Sequence, residues 1–79
     1  MEPMPITTSL HANFCRNLRR RMAACGVTQV ELAERLGIAQ PSVSAIIRGR
    51  REPGLGVIDR VAQALDCSPQ SLLAESAEE

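Results

Sequence analysis

The middle of this 79-residue chain gathers side chains suited to recognising a ligand rather than transforming one. Gln40 carries a carboxamide that donates and accepts at once, Ser44 sets a hydroxyl one helical turn later, and Arg48, Arg50 and Arg51 follow as guanidinium forks. A glutamine amide matches the N7 and N6 edge of adenine, and an arginine fork matches a phosphate. Groups for turnover are not assembled in the same way. There is one histidine, His11, and the sequence shows no nucleophile–base pair, no carboxylate dyad and no phosphate-cradling glycine loop, which argues against an enzyme. The three cysteines, Cys15, Cys25 and Cys67, are odd in number and lack paired-ligand spacing. Neither a disulfide framework, a metal site nor a cofactor is expected from them; they read as reduced thiols serving as small core hydrophobes.

The net charge is zero, but the charges are unevenly placed. Between Ala12 and Arg51, eight arginines stand against Glu31 and Glu34, a balance of +6. From Glu52 onward Arg60 alone opposes six carboxylates, a balance of −5. For a nucleic-acid ligand this distribution matters more than the sum. The acidic end, residues 75–79, reads as a solubilising tail, with competition against a nucleic acid or partner as the sharper alternative. No run reaches the ~18 apolar residues of a membrane span, and Met1 to Ser9 lacks the basic start and apolar run of a signal peptide. The expectation is a cytoplasmic protein without membrane contact, its first eight residues a loose tail.

The elements that must hold these side chains are legible. Thr28 and Glu31 have the spacing of a capping box, with Val27 and Leu32 placed as a hydrophobic staple. Leu32, Ala33 and Leu36 form one apolar face, and Gly37 follows where a chain leaving a helix needs positive φ. Val43, Ile46 and Ile47 make a second stripe that leaves Gln40, Pro41, Ser44, Ala45 and Arg48 facing outward. Two short helices joined at a glycine are a helix-turn-helix. Helices this short are marginal alone, so the flanks must supply a core. Upstream, Leu10, Phe14, Leu18, Met22 and Cys25 read as one face of a long helix between Ser9 and Gly26. Downstream, Leu55, Ile58, Val61, Ala62 and Leu65 form a fourth stripe, and Ser68–Pro69 opens a short fifth helix bearing Leu72 and Leu73. No segment alternates like a strand, so the chain is read as all-α with five helices.

Order and residue types together resemble the lambda-repressor-like (Cro/C1-type, xenobiotic-response-element-like) helix-turn-helix domain over Phe14 to Leu73. Thr28, Gln29, Glu31, Leu32, Ala33, Leu36, Gly37 and Ile38 stand where that pattern wants them, and Val43, Ser44, Ile46, Gly49, Pro53, Leu55, Ala62, Leu65, Ser68 and Leu72 continue it. Many members pair an Arg late in helix 1 with a Glu late in helix 3; Met22 and Ile47 stand there in this chain. Gly54 and Gly56 leave a weakly held start to helix 4, since glycine inside a first turn costs up to about 1 kcal/mol relative to alanine.

The resemblance implies double-stranded DNA as ligand, with the second helix of the motif in the major groove. Gln40, Pro41, Ser44 and Ala45 are then the base-reading residues, and Gln29, Arg48, Arg50 and Arg51 the phosphate contacts. Arg19, Arg20 and Arg21 are spread about 100° apart around helix 1, so not all can face DNA, and none is carried as a site residue. His11 is expected on the surface. The resemblance further implies a two-fold dimer. Val57 lies off the core stripe of helix 4 and is expected to be exposed in a monomer, joining Leu55, Leu72 and Leu73 in a dimer patch. Residues 9–74 form the DNA-binding domain between the tails 1–8 and 75–79. Two functions follow: a sequence-specific transcriptional regulator acting as a homodimer on a palindromic operator, and an antitoxin-type DNA-binding protein that also grips a toxin or another regulator.

Overall fold

The computed structural model describes residues 9–75. Its five helices are α1 (Ser9–Cys25), α2 (Gln29–Leu36), α3 (Gln40–Ile47), α4 (Leu55–Ala64) and α5 (Pro69–Leu73), and no strand occurs among the described residues. The N-terminal tail expected over residues 1–8 lies outside them, as does the acidic tail apart from Glu75, which is exposed.

The helix starts follow the sequence signals. Thr28 caps α2: its hydroxyl accepts from the Glu31 N–H at 3.1 Å, and Glu31 Oε1 accepts from the Thr28 N–H at 2.9 Å. These bonds to Thr28 hold the Glu31 carboxyl below its ordinary pKa of 4.5. Ser68 caps α5 by accepting from the Ser71 N–H. By contrast the N-cap residues of α3 and α4 are Ala39 and Gly54, which supply no side-chain cap.

The ends of α1, α2, α3 and α4 share one device. After α2, Gly37 at φ 71° lets its own N–H reach Glu34 O while the Ile38 N–H reaches Ala33 O. This paired bond is the Schellman arrangement. It recurs around Gly26, around Gly49 and, after α4, around Asp66, which takes φ 57° without being glycine.

Phe14, Leu18, Leu32, Val43, Val61, Leu65 and Leu72 are the largest fully buried side chains, so every helix contributes to one mainly aliphatic core. Met22 and Ile47, which stand in place of an ion pair, both belong to that core. An apolar pair avoids desolvating two charges, which is often neutral or stabilising.

Three sequence expectations need correction on α1. Leu10 is 55% exposed, Cys25 is exposed, and His11 is buried. Steps of four residues drift by about 40° per turn, so Leu10 lies well off the face centred on Phe14, Leu18 and Met22. His11 stands three, four and seven residues before Phe14, Cys15 and Leu18, squarely on that face. Cys25 keeps the angle but lies beyond the end of the core. Of the thiols, then, only Cys15 is fully buried; Cys67 is half-buried.

Polar side chains join the helices. Asn17 Nδ2 donates to Leu72 O at 2.9 Å and Ala74 O at 2.8 Å, tying the end of α5 to α1. Arg35 on α2 donates to Ala64 O at the end of α4, and Arg60 on α4 donates to Leu36 O at the end of α2. Arg21 reaches Leu65 O and Asp66 O, both at 3.0 Å. A cation beside terminal carbonyls satisfies acceptors the helix cannot, and it faces the negative end of the helix dipole.

Candidate nucleic-acid interface

The two helices of the motif meet at Gly37, and their N-terminal ends come together. Gln29, the first residue of α2, and Gln40, the first of α3, are joined directly: Gln40 Nε2 donates to Gln29 Oε1 at 3.2 Å. This bond uses one amide hydrogen of Gln40 and leaves its Oε1 and second hydrogen for another partner.

Gln40, Pro41, Ser44 and Ala45 line one shallow depression of about 260 Å³ together with Arg48 and Arg50. All four expected base readers and two of the expected phosphate contacts therefore share a surface. Gln40, Pro41, Arg48 and Arg50 are exposed; Ser44 and Ala45 are half-buried. Local sequence explains the placement: Val43, Ile46 and Ile47 turn inward to the core, which rotates the opposite face of α3 outward. Arg51 is separate from this group. Its Nη1 donates to Ser42 Oγ at 3.2 Å, and it lines another cleft with Ile38, Ile46 and Pro53.

Most of the arginines fall into two sets that composition does not distinguish. Arg19, Arg21, Arg35 and Arg60 bond backbone carbonyls at helix ends, and Arg16 bonds Asn13 Oδ1 at 2.9 Å. Arg48 and Arg50 carry their charge into the depression on α3. A carbonyl from a distant helix leaves no local mark, so the sequence does not tell the helix-end arginines from the others. Position holds a partial signal: Arg35 occupies the last turn of its helix, where cations favour helix ends.

The expected dimer patch is only partly a surface. Leu55 is 84% exposed and Leu73 half-buried. Leu72 is 1% exposed and belongs to the core, and Val57 is half-buried against it, so neither stands free as the sequence suggested. Adjacent residues on one short helix point in different directions, and of the pair it is Leu72 that turns inward. Leu10 instead joins Leu55 and Leu73 around a groove of about 170 Å³ whose floor includes His11, Phe14 and Ile58.

A helix-turn-helix family model matches residues 18–72. The chain belongs to the Cro/C1-type helix-turn-helix family. Its five helices form the lambda-repressor-like fold. Among solved structures, a hypothetical transcription factor from Neisseria superposes on this helix-turn-helix domain with TM-score 0.79 at 30% identity, covering 94% of this chain and 87% of that one. The restriction-modification controller protein C.AhdI from Aeromonas hydrophila gives TM-score 0.73 at 34% identity, covering 78% and 94%. Antitoxin HigA1 of Mycobacterium tuberculosis is 43% identical over 42 residues, which are 53% of this chain. The chain spans 28% of the length of that relative. Among the described residues no helix is long and apolar enough to cross a membrane.

Proposed function

We propose that the chain is a sequence-specific regulator of transcription that binds double-stranded DNA as a homodimer on a palindromic operator. The observation that carries this reading is the Gln29–Gln40 bond at the exposed start of α3, in a depression flanked by Arg48 and Arg50. Held by Gln29, the Gln40 amide presents a donor and an acceptor together, the pair that adenine offers in complement. Ser44 adds a hydroxyl, and Pro41 and Ala45 add apolar contact suited to thymine methyl groups. Arg48, Arg50, Arg51 and Gln29 supply phosphate contacts that set register and affinity. Few bases are read per copy, so two copies are needed, with half-sites about 34 Å apart. Leu55 and Leu73, with Leu10 beside them, form the self-contact.

Selection from a random DNA pool at two salt concentrations tests the proposal. A palindromic motif with strong salt dependence is the expected result; enrichment of nothing beyond background overturns it.

The likeness to an antitoxin favours a second reading, in which the same domain binds DNA and a further surface grips a protein partner. A stable complex with the product of a neighbouring gene would support it.

A further inference from the structure

The end of α3 opposite Gln40 is held by α1. Each of the last four carbonyls of α3 has an acceptor role: Ser44 O receives the Arg48 N–H, Ala45 O the N–H groups of Arg50 and Arg51, and Ile46 O the Gly49 N–H. The other two donors come from α1. The Cys15 thiol reaches Ile46 O at 3.2 Å, and Arg19 Nη2 reaches Ile47 O at 2.9 Å. Cys15 and Arg19 are four residues apart, hence neighbours on one face of a helix.

This hold falls on an element with little of its own. α3 has eight residues, no side-chain cap at Ala39 and no basic residue in its last turn. A helix of that length is marginal without tertiary support. Arg19 supplies the cation that the last turn lacks, at the negative end of the helix. Leverage then converts a local contact into a functional one. Gln40 lies seven residues from Ile47, about 10 Å along the axis. A tilt of roughly 10° about the held end therefore moves Gln40 by almost 2 Å, whereas recognition contacts tolerate about 0.5 Å.

We propose that Arg19, assisted by Cys15, is a positioning residue for α3: it fixes the angle at which Gln40, Ser44 and their neighbours meet the bases without touching DNA itself. The inference rests on the DNA-binding reading above and adds a residue outside the helix-turn-helix to its specificity.

The test compares Arg19→Met, which keeps the stem and removes the fork, with Arg19→Lys, which keeps a charged donor, both in the full chain. For each, affinity for the selected motif and for unrelated DNA is measured across salt, and amide hydrogen exchange is followed without DNA. Arg19→Met is expected to lower the ratio of specific to non-specific affinity by about tenfold with the salt slope unchanged, and Arg19→Lys to recover most of the ratio. Exchange should quicken in α3 while α2 and α4 keep their protection. An unchanged ratio in a folded variant overturns the proposal. So does a salt slope reduced by about one unit, which makes Arg19 a phosphate contact. If the wild-type chain selects no motif, the DNA reading has failed on its own. In that event exchange alone decides whether Arg19 holds α3: unchanged protection overturns the clamp, and selective loss in α3 upholds it.

Discussion

At the scale of single residues, the proposed recognition surface is centred on the Gln40 amide, with Arg48 and Arg50 beside it. Gln40 is held by Gln29, so its orientation is set before any ligand arrives. Replacing Gln40 by Ala is expected to cost about 1–3 kcal/mol and to relax preference at one base position; an equal loss over all sequences makes it a backbone contact instead. Arg50 sits in the same depression, and in the proposed reading it carries affinity rather than selectivity. Arg50→Ala should weaken binding to every sequence and lower the salt slope by about one unit per site, which titration at three or more salt concentrations measures directly. The buried Cys15 acts inside the fold instead. Burial raises its thiol pKa, against the lowering pull of Arg19 and the Gly49 backbone, and the neutral S–H serves as a donor to Ile46 O.

At the scale of elements, the domain is short helices with carefully closed ends. Glu31 is fully exposed, and its carboxyl is held below 4.5 by hydrogen bonds to Thr28. Because the folded value is the lower one, the stabilisation is complete above the unfolded pKa and is lost as pH falls through the folded one. Thermal melts of the wild type and Glu31→Gln should therefore differ at neutral pH and converge in acid, below the ordinary value of 4.5. A constant difference across that range removes the capping box as its origin. Asp66 bears the left-handed conformation that glycine takes after α1, α2 and α3. A side chain there costs about 1 kcal/mol, partly offset by the greater freedom glycine has when unfolded. Asp66→Gly is expected to raise stability by about 0.5 kcal/mol, seen as a higher denaturant midpoint at unchanged m-value.

At the scale of the whole molecule, the arginine-to-carbonyl bonds unite the bundle and decide where charge is left over. Arg35 and Arg60 cross between α2 and α4 in both directions, and Arg19 and Arg21 extend from α1 to the ends of α3 and α4. Few aromatic side chains are available, since the chain has one Phe and no Trp or Tyr, so burial of small aliphatic groups is supplemented by these bonds. Self-association is expected at the groove between α1, α4 and α5, where Leu10 and Leu55 are exposed. Leu55→Glu changes a side chain that touches little of its own fold, and it should move sedimentation toward monomer. No shift places the contact between copies elsewhere.

What the chain's own letters determined were the features with local causes. The capping box at Thr28, the turn at Gly37, the start of α5 at Ser68 and the outward face of α3 each depend on residues within a few positions of one another, and all were legible. Interactions between distant segments left no such trace. The sequence shows eight arginines crowded toward one end, and only folding reveals that Arg19, Arg21, Arg35 and Arg60 turn to helix-end carbonyls while Arg48 and Arg50 share a surface with Gln40. His11 and Leu10 exchanged their expected places because a stripe read in steps of four drifts around a helix of 3.6 residues per turn. Leu72 and Leu73 likewise share type and neighbourhood, and burial went to the one whose direction met the core. Local hydrogen bonding follows from order along the chain; burial and the partners of long, flexible cations are settled by which surfaces the helices bring together.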